Sequence, residues 1–232
     1  MSKLVWDQSG ERFYETGTKN VALYVMSSVA GKYENGVVWN GVTAITESPS
    51  GAEESPLYAD DIKYLSLRSA EEFGATIEAY TYPDEWMLCD GSVALYDGVV
   101  AGQQKRKPFG LAYKSIVGND SQLDDYGYKL HIIYNATASP SERAYQTVND
   151  SPEAITFSWE VTTTPVAVTA KNSDGSTLKP LSIITIDSNK VDATKLQSLE
   201  DTLFGTSSKE ATLPTPDEVF AFFADTNSSV TA

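Results

Sequence analysis

The sequence predicts a mainly β protein, an antiparallel β-sandwich or partial barrel with one or two small flanking α-helices. Three observations predict it. Apolar and polar residues alternate at period two in segment after segment, the mark of strands with one buried face. The 232 residues include 25 Ser, 22 Thr and 13 Tyr, a bias that suits half-wet pleated surfaces better than helix bundles. Helix patterning is confined to the end of the chain.

Taken in order, Val21, Leu23 and Val25 share one side of a first strand, and Asn35-Gly36 is a tight-turn pair that can return the chain into a strand over 37–46. Residues 48–61 combine two prolines, a glycine and four acids, and read as one long exposed loop. Two stretches follow, Ile62 to Arg68 and Glu72 to Tyr82. In the second, Phe73, Ala75, Ile77 and Ala79 hold one parity; Glu72, Thr76, Glu78 and Tyr80 hold the other. Ser69 and Glu72 also have the spacing of a helix capping box, but the alternation outlasts one helical turn and Gly74 disfavours a helix.

Residues 83–91 read as a turn or a single helical turn carrying Trp86 and Leu88. Alternation resumes at Tyr128, Leu130, Ile132 and Tyr134, and again at Ile155, Phe157, Trp159 and Val161. Pro165 to Lys171, an Asp174-Gly175 turn and Leu181 to Ile186 suggest a late hairpin. Asp192 can cap a helix over 194–204, with Leu196, Leu199 and Leu203 on one stripe and Gly205 as its stop. Thr215, Pro216 and Glu218 form a start signal for a last helix over 217–223. The expected organisation is one domain over 1–225, with an assembly loop at 47–61, a helical segment at 192–224 and a flexible tail at 226–232. The predicted core includes Phe73, Ile77, Ile132, Phe157 and Trp159.

Composition excludes several chemistries. A single Cys, Cys89, rules out an intramolecular disulfide and a Cys-rich zinc site, and a single His, His131, rules out HExxH-type metal sites. Seventeen Lys+Arg against 32 Asp+Glu leave a net charge of −15, which opposes wrapping a nucleic acid. No apolar run approaches the roughly 20 residues that span a bilayer, so a soluble protein made in a cytoplasm is expected. No G-x-S-x-G elbow, phosphate-cradling loop or D-x-D-x-D-G loop occurs. His131, on the parity opposite Leu130 and Ile132, reads as a surface or interface imidazole, and Cys89 as a small buried hydrophobe. The acid pairs Asp84-Glu85 and Asp124-Asp125 do not face one point on a strand or turn, and Lys105-Arg106-Lys107 reads as a solvated or partner-facing turn. No catalytic residue, metal or cofactor is expected. From Glu47 to Asp90 there are 11 acids against Lys63 and Arg68, so much of the charge lies in one loop and one strand pair.

A set of short segments, in order from about residue 10 to residue 224, resembles the major tail tube proteins of long, non-contractile-tailed phages. They are Glu11 to Gly17, Val38 to Thr43, Ser50 to Glu53 with Leu57 to Asp60, Thr76 to Pro83, Cys89 to Gly91, Phe109 to Leu111 and Gly118 to Asp120. Asn149 to Ala154, Ser158 to Glu160, Thr163 to Val166 and Leu213 to Glu218 complete the set.

The resemblance implies a β-sandwich subunit whose sheets join, six to a ring, into a continuous inner barrel, with rings stacked into a tube. Closure of that kind removes open sheet edges. It implies Glu72, Thr76 and Glu78 as lumen-facing residues, an acidic wall past which genome DNA slides without binding. The wall's field reaches about 8 Å at physiological salt. Ser50, Glu53, Glu54, Leu57, Tyr58, Asp60 and Asp61 become candidates for contact with a neighbouring subunit or ring. The implied partners are further copies of the chain, a tape measure protein, a distal tail or tip complex and a tail terminator, with the virion as location and the host cytoplasm as the place of assembly. The alternative from the residues alone is a β-sandwich module that binds carbohydrate or a receptor through exposed aromatics.

Overall fold

A computed structural model of the chain describes residues 4–29, 31–148, 150, 154–172 and 174–224, so the tail expected at 226–232 lies outside the described residues. The fold is mainly β and antiparallel. Its principal sheet runs in the order β2 (Val37–Val38), β1 (Phe13–Val25), β11 (Phe109–Asn119), β12 (Leu123–Ala138), β13 (Phe157–Thr163), β8 (Gly74–Ala79), β3 (Val42–Glu47), with β14 (Ile183–Asp187) also on β12.

Strand β12 makes this one sheet into two layers. Up to Ile133 its second edge pairs with β14, and from Ala136 onward that edge pairs with β13. At the changeover Asn135 has φ +47°, and the register against β11 slips between Ile133 and Ala136. A bulge of this kind bends a strand and increases its twist, so one long strand leaves the first layer and starts the second. Two cores result. Between the layers lie Leu23, Ile77, Trp86, Phe109, Leu111, Trp159 and their neighbours. On the far side of the first layer Tyr24, Leu130, Ile132 and Ile184 pack against α2 (Ala193–Leu203) and α3 (Pro216–Phe223).

The centre of the first layer is therefore covered on both faces. Residues 21–25, 109–113 and 130–134 are all buried, where alternation alone predicts one wet side. Of the predicted core, Ile77, Ile132 and Trp159 are fully buried, with Ile132 in the helix-side core; Phe73 and Phe157 are half-buried against the inter-layer core. Trp39, Trp86 and Trp159 form one aromatic cluster, with ring centroids 4.4 to 5.6 Å apart.

The helix signals hold. Asp192 accepts from the Thr194 and Lys195 amides, Gly205 follows the helix with φ +76°, and Thr215 with Glu218 forms a reciprocal capping box. The single turn α1 (Trp86–Cys89) also forms. Several expectations are corrected. Asn35-Gly36 is not a positive-φ hairpin turn; Gly36 is needed because a Cβ there would lie 2.5 Å from the Tyr24 ring. The strand expected over 37–46 is split into β2 and β3 at Gly41, with φ +77°. The late hairpin does not form as one ladder. Val166 and Leu181 make an isolated bridge, and β14 joins β12 instead. Strand β13 begins at Phe157, leaving Ile155 exposed.

Truncating Trp159 to Ala should lower unfolding stability by about 3–5 kcal/mol, whereas Asp192→Ala should cost about 1 kcal/mol. Urea unfolding of the two variants checks both, and equal losses would contradict the burial described.

Candidate functional site

Residues 48–61 are not a loop. After β3 the chain forms β4 (Ser50–Gly51) and β5 (Glu54–Ala59), turns at Asp60-Asp61, and returns as β6 (Ile62–Arg68) and β7 (Glu71–Glu72). Both turn aspartates have positive φ, +49° and +61°, as a two-residue type I′ connection requires. The acids and prolines that signal a loop are thus carried by a ribbon edge and its tip. Strands β5 and β6 pair only with each other, and nearly every residue in them is exposed.

This arm is two-faced. Leu57 pairs opposite Leu65 and Ser55 opposite Leu67, an apolar face; Glu54 holds the Lys63 ammonium and the Ser66 hydroxyl on the other. Tyr58, Ile62 and Tyr64 are each about two-thirds exposed or more. An isolated two-stranded ribbon is marginal in water, and one that presents Leu57, Tyr58, Leu65 and Leu67 to solvent lacks a covering surface. Of the residues proposed for contact, Leu57 and Tyr58 lie on the arm, Asp60 and Asp61 at its tip, and Ser50, Glu53 and Glu54 toward its root.

The second layer has its own exposed side. Ala75, Ile77 and Ala79 point into the core, so Thr76 and Glu78 face outward, as the parity predicts. By register, Thr46, Ser158, Glu160 and Thr162 share that outward side, which carries two acids and no base. Glu72 is separate from it. The expected strand over 72–82 breaks at Phe73, and Glu72 pairs with Ser50 at the arm's root.

The cluster that sequence reasoning missed surrounds His131. The ring is buried and stacks flat on Tyr113, with centroids 4.7 Å apart. Nδ1 lies 3.2 Å from Glu47 Oε1 and 3.4 Å from Thr185 Oγ1; Nε2 lies 2.9 Å from Ser115 Oγ and 3.7 Å from Glu15 Oε1. Ser115 donates to Glu15 at 2.7 Å, Lys129 donates to the other Glu15 oxygen, and Tyr113 donates to Glu47. These groups come from β1, β3, β11, β12 and β14. They plug the inter-layer core where β1 and β3 run side by side without a ladder, beneath a shallow groove of ≈ 340 Å³.

The order serine, histidine, acid is that of a nucleophile triad, but the serine proton is directed to a second carboxylate. Nδ1 faces Glu47, Nε2 faces Ser115, and Ser115 donates to Glu15. The arrangement is a clasp. Its Glu47 end lies three residues before Ser50, so it ties the root of the arm to the first layer. Hydrogen bonds from His131 first, then Tyr113, hold the Glu47 carboxyl below its ordinary range against the effect of burial. Burial pushes Glu15 upward, but Lys129 and Ser115 outweigh it and leave it lowered. Elsewhere, burial pushes the Cys89 thiol up to about 12.

Among the described residues no group of three or more His, Cys, Asp or Glu is placed to hold a metal ion, and no helix is long and apolar enough to cross a membrane. No protein-family model matches the chain, and no curated protein is similar to it.

A carboxylate with a lowered pKa stabilises the fold above its ordinary value of 4.5 and loses that contribution as pH falls through the folded-state value. Glu47→Gln should therefore cost about 1 kcal/mol near neutral pH, a figure discounted for the partial exposure of Glu47. The gap from the parent should close in acid below pH 4.5, as followed by urea unfolding across pH. A gap unchanged in acid would remove the ionic part of the clasp.

Proposed function

We propose that this chain is a structural subunit that self-assembles as stacked hexameric rings into the tail tube of a long, non-contractile-tailed phage. It works as a conduit for genome DNA and has no catalytic role of its own. The arm β5–β6 carries the reading: a ribbon that presents leucines and tyrosines to water while pairing only with itself is completed by a neighbour. The outward side of β3, β8 and β13, acidic through Glu78 and Glu160 and free of bases, supports its use as the channel wall. Glu72 then belongs to the arm's root rather than to that wall.

In this reading the subunit's partners are its own copies, a tape measure protein, a tip complex and a tail terminator. The protein resides in the virion after assembly in the host cytoplasm. A net charge of −15 on each copy opposes spontaneous polymerisation, so assembly waits for a nucleating tip. A carbohydrate- or receptor-binding module is the second reading, favoured by the exposed Tyr58, Tyr64 and Tyr96. The placement of Trp39, Trp86 and Trp159 in the core speaks against it.

Because Gly51 and Glu71 are partners across β4 and β7, residues 52–70 can be replaced by Asn-Gly without disturbing the root. The shortened protein should stay folded by circular dichroism and form no tubes by electron microscopy under conditions where the parent does; normal tubes would remove the arm from assembly. Combining Glu78→Lys with Glu160→Lys should leave tubes intact while slowing or arresting DNA release from assembled particles. Unchanged release would place the channel wall elsewhere.

A further inference from the structure

The fold leaves a second ribbon nearly as open as the arm. Strands β9 (Val93–Tyr96) and β10 (Val99–Ala101) pair only with each other across Asp97-Gly98, and they expose Leu95, Tyr96, Val99 and Val100. The two ribbons leave opposite ends of one strand. The arm enters the start of β8 through β7, and β9–β10 is reached beyond the end of β8 by way of α1.

Their charges are opposite as well. Residues 50–72 carry six acids against Lys63 and Arg68, and Lys63 is held by Glu54 on the arm itself. The tip, Asp60-Asp61, is exposed. Residues 93–107 carry one acid, Asp97, together with Lys105-Arg106-Lys107, the only run of three consecutive cations in the sequence. Arg106 turns inward to Asp90 and to the carbonyls of Cys89 and Ala138. Lys105 and Lys107 remain exposed and pair with no acid among the described residues.

We propose that the arm of one copy docks head to tail on the β9–β10 ribbon of another copy, with Asp60 and Asp61 meeting Lys105 and Lys107. This inference rests on the self-assembly reading and supplies the acceptor that reading lacks. A heterologous contact between two different patches propagates from copy to copy, whereas a like-to-like contact closes as a dimer. Apolar faces on both ribbons supply buried area, and charge supplies direction. Two acidic arms repel, two basic feet repel, and only arm on foot attracts. The device gives stacked copies a polarity in a chain whose overall charge pushes them apart.

Two charge-reversed proteins test the contact: one with Asp60→Lys and Asp61→Lys, the other with Lys105→Glu and Lys107→Glu. Each alone should need about tenfold more protein to assemble than the parent, as followed by light scattering and electron microscopy. An equimolar mixture should recover, because each reversed arm then meets a reversed foot or a native arm a native foot. Assembly of either variant at the parent's concentration would overturn the contact, and so would failure of the mixture to recover. A second measurement needs no tubes. Asp61→Cys and Lys105→Cys chains, mixed under mild oxidant, should give mixed disulfide dimers well above those of either chain alone, and none above that level would overturn the contact. A parent that remains monomeric at every concentration and gives no mixed dimers would instead defeat the self-assembly reading itself.

Discussion

The structure depends on one strand belonging to two sheets. β12 is 16 residues long, and its kink at Asn135 passes the hydrogen-bond ladder from β14 to β13. Without that bend the second layer would have no strand ladder to the first, and the tryptophan cluster would have no second wall. Everything outside the cores follows from it: the helices cover one side of the first layer, the second layer covers the other, and the second layer's far side is left to water. The acidic outward face and the arm are both extensions of that last layer.

Where the layers do not close by a ladder, they close by charge. β3 lies beside β1 without strand pairing, and Glu47, His131, Ser115 and Glu15 span the gap. Polar chains of this kind, centred on a buried histidine and serine, favour one arrangement over others when each member is satisfied. The clasp fixes where the arm leaves the domain, so an interaction in the interior sets the direction of an exposed ribbon.

Much of the fold was legible in the sequence because it rests on local rules. Capping at Asp192 and Thr215, the leucine stripe at 196, 199 and 203, and the inward parity of Ala75, Ile77 and Ala79 all appear where the pattern puts them. Two of the misses share a cause, a partner distant in sequence. Residues 130–134 are wet on neither side because α2 and α3 cover the second one. His131 is buried because Glu15, Glu47 and Ser115 arrive from other strands to meet it, and no spacing within 129–133 reveals them. The arm reads as a loop in the sequence because acids and Pro56 suit an exposed ribbon edge as well as they suit irregular chain. One signal was available: Asp60-Asp61 sits between two runs containing Leu and Tyr, a turn pair flanked by strand formers.

Cys89 is the one thiol in the chain, fully buried beneath Trp86 and deprotonated only with difficulty. Sulfenic acid formation, glutathione adducts and intermolecular disulfides all begin from an accessible thiolate. The folded polypeptide offers none, so a more oxidising medium leaves its covalent cross-linking state unaltered. Any contact between folded copies is therefore noncovalent with respect to sulfur, and it does not depend on the redox poise of the medium.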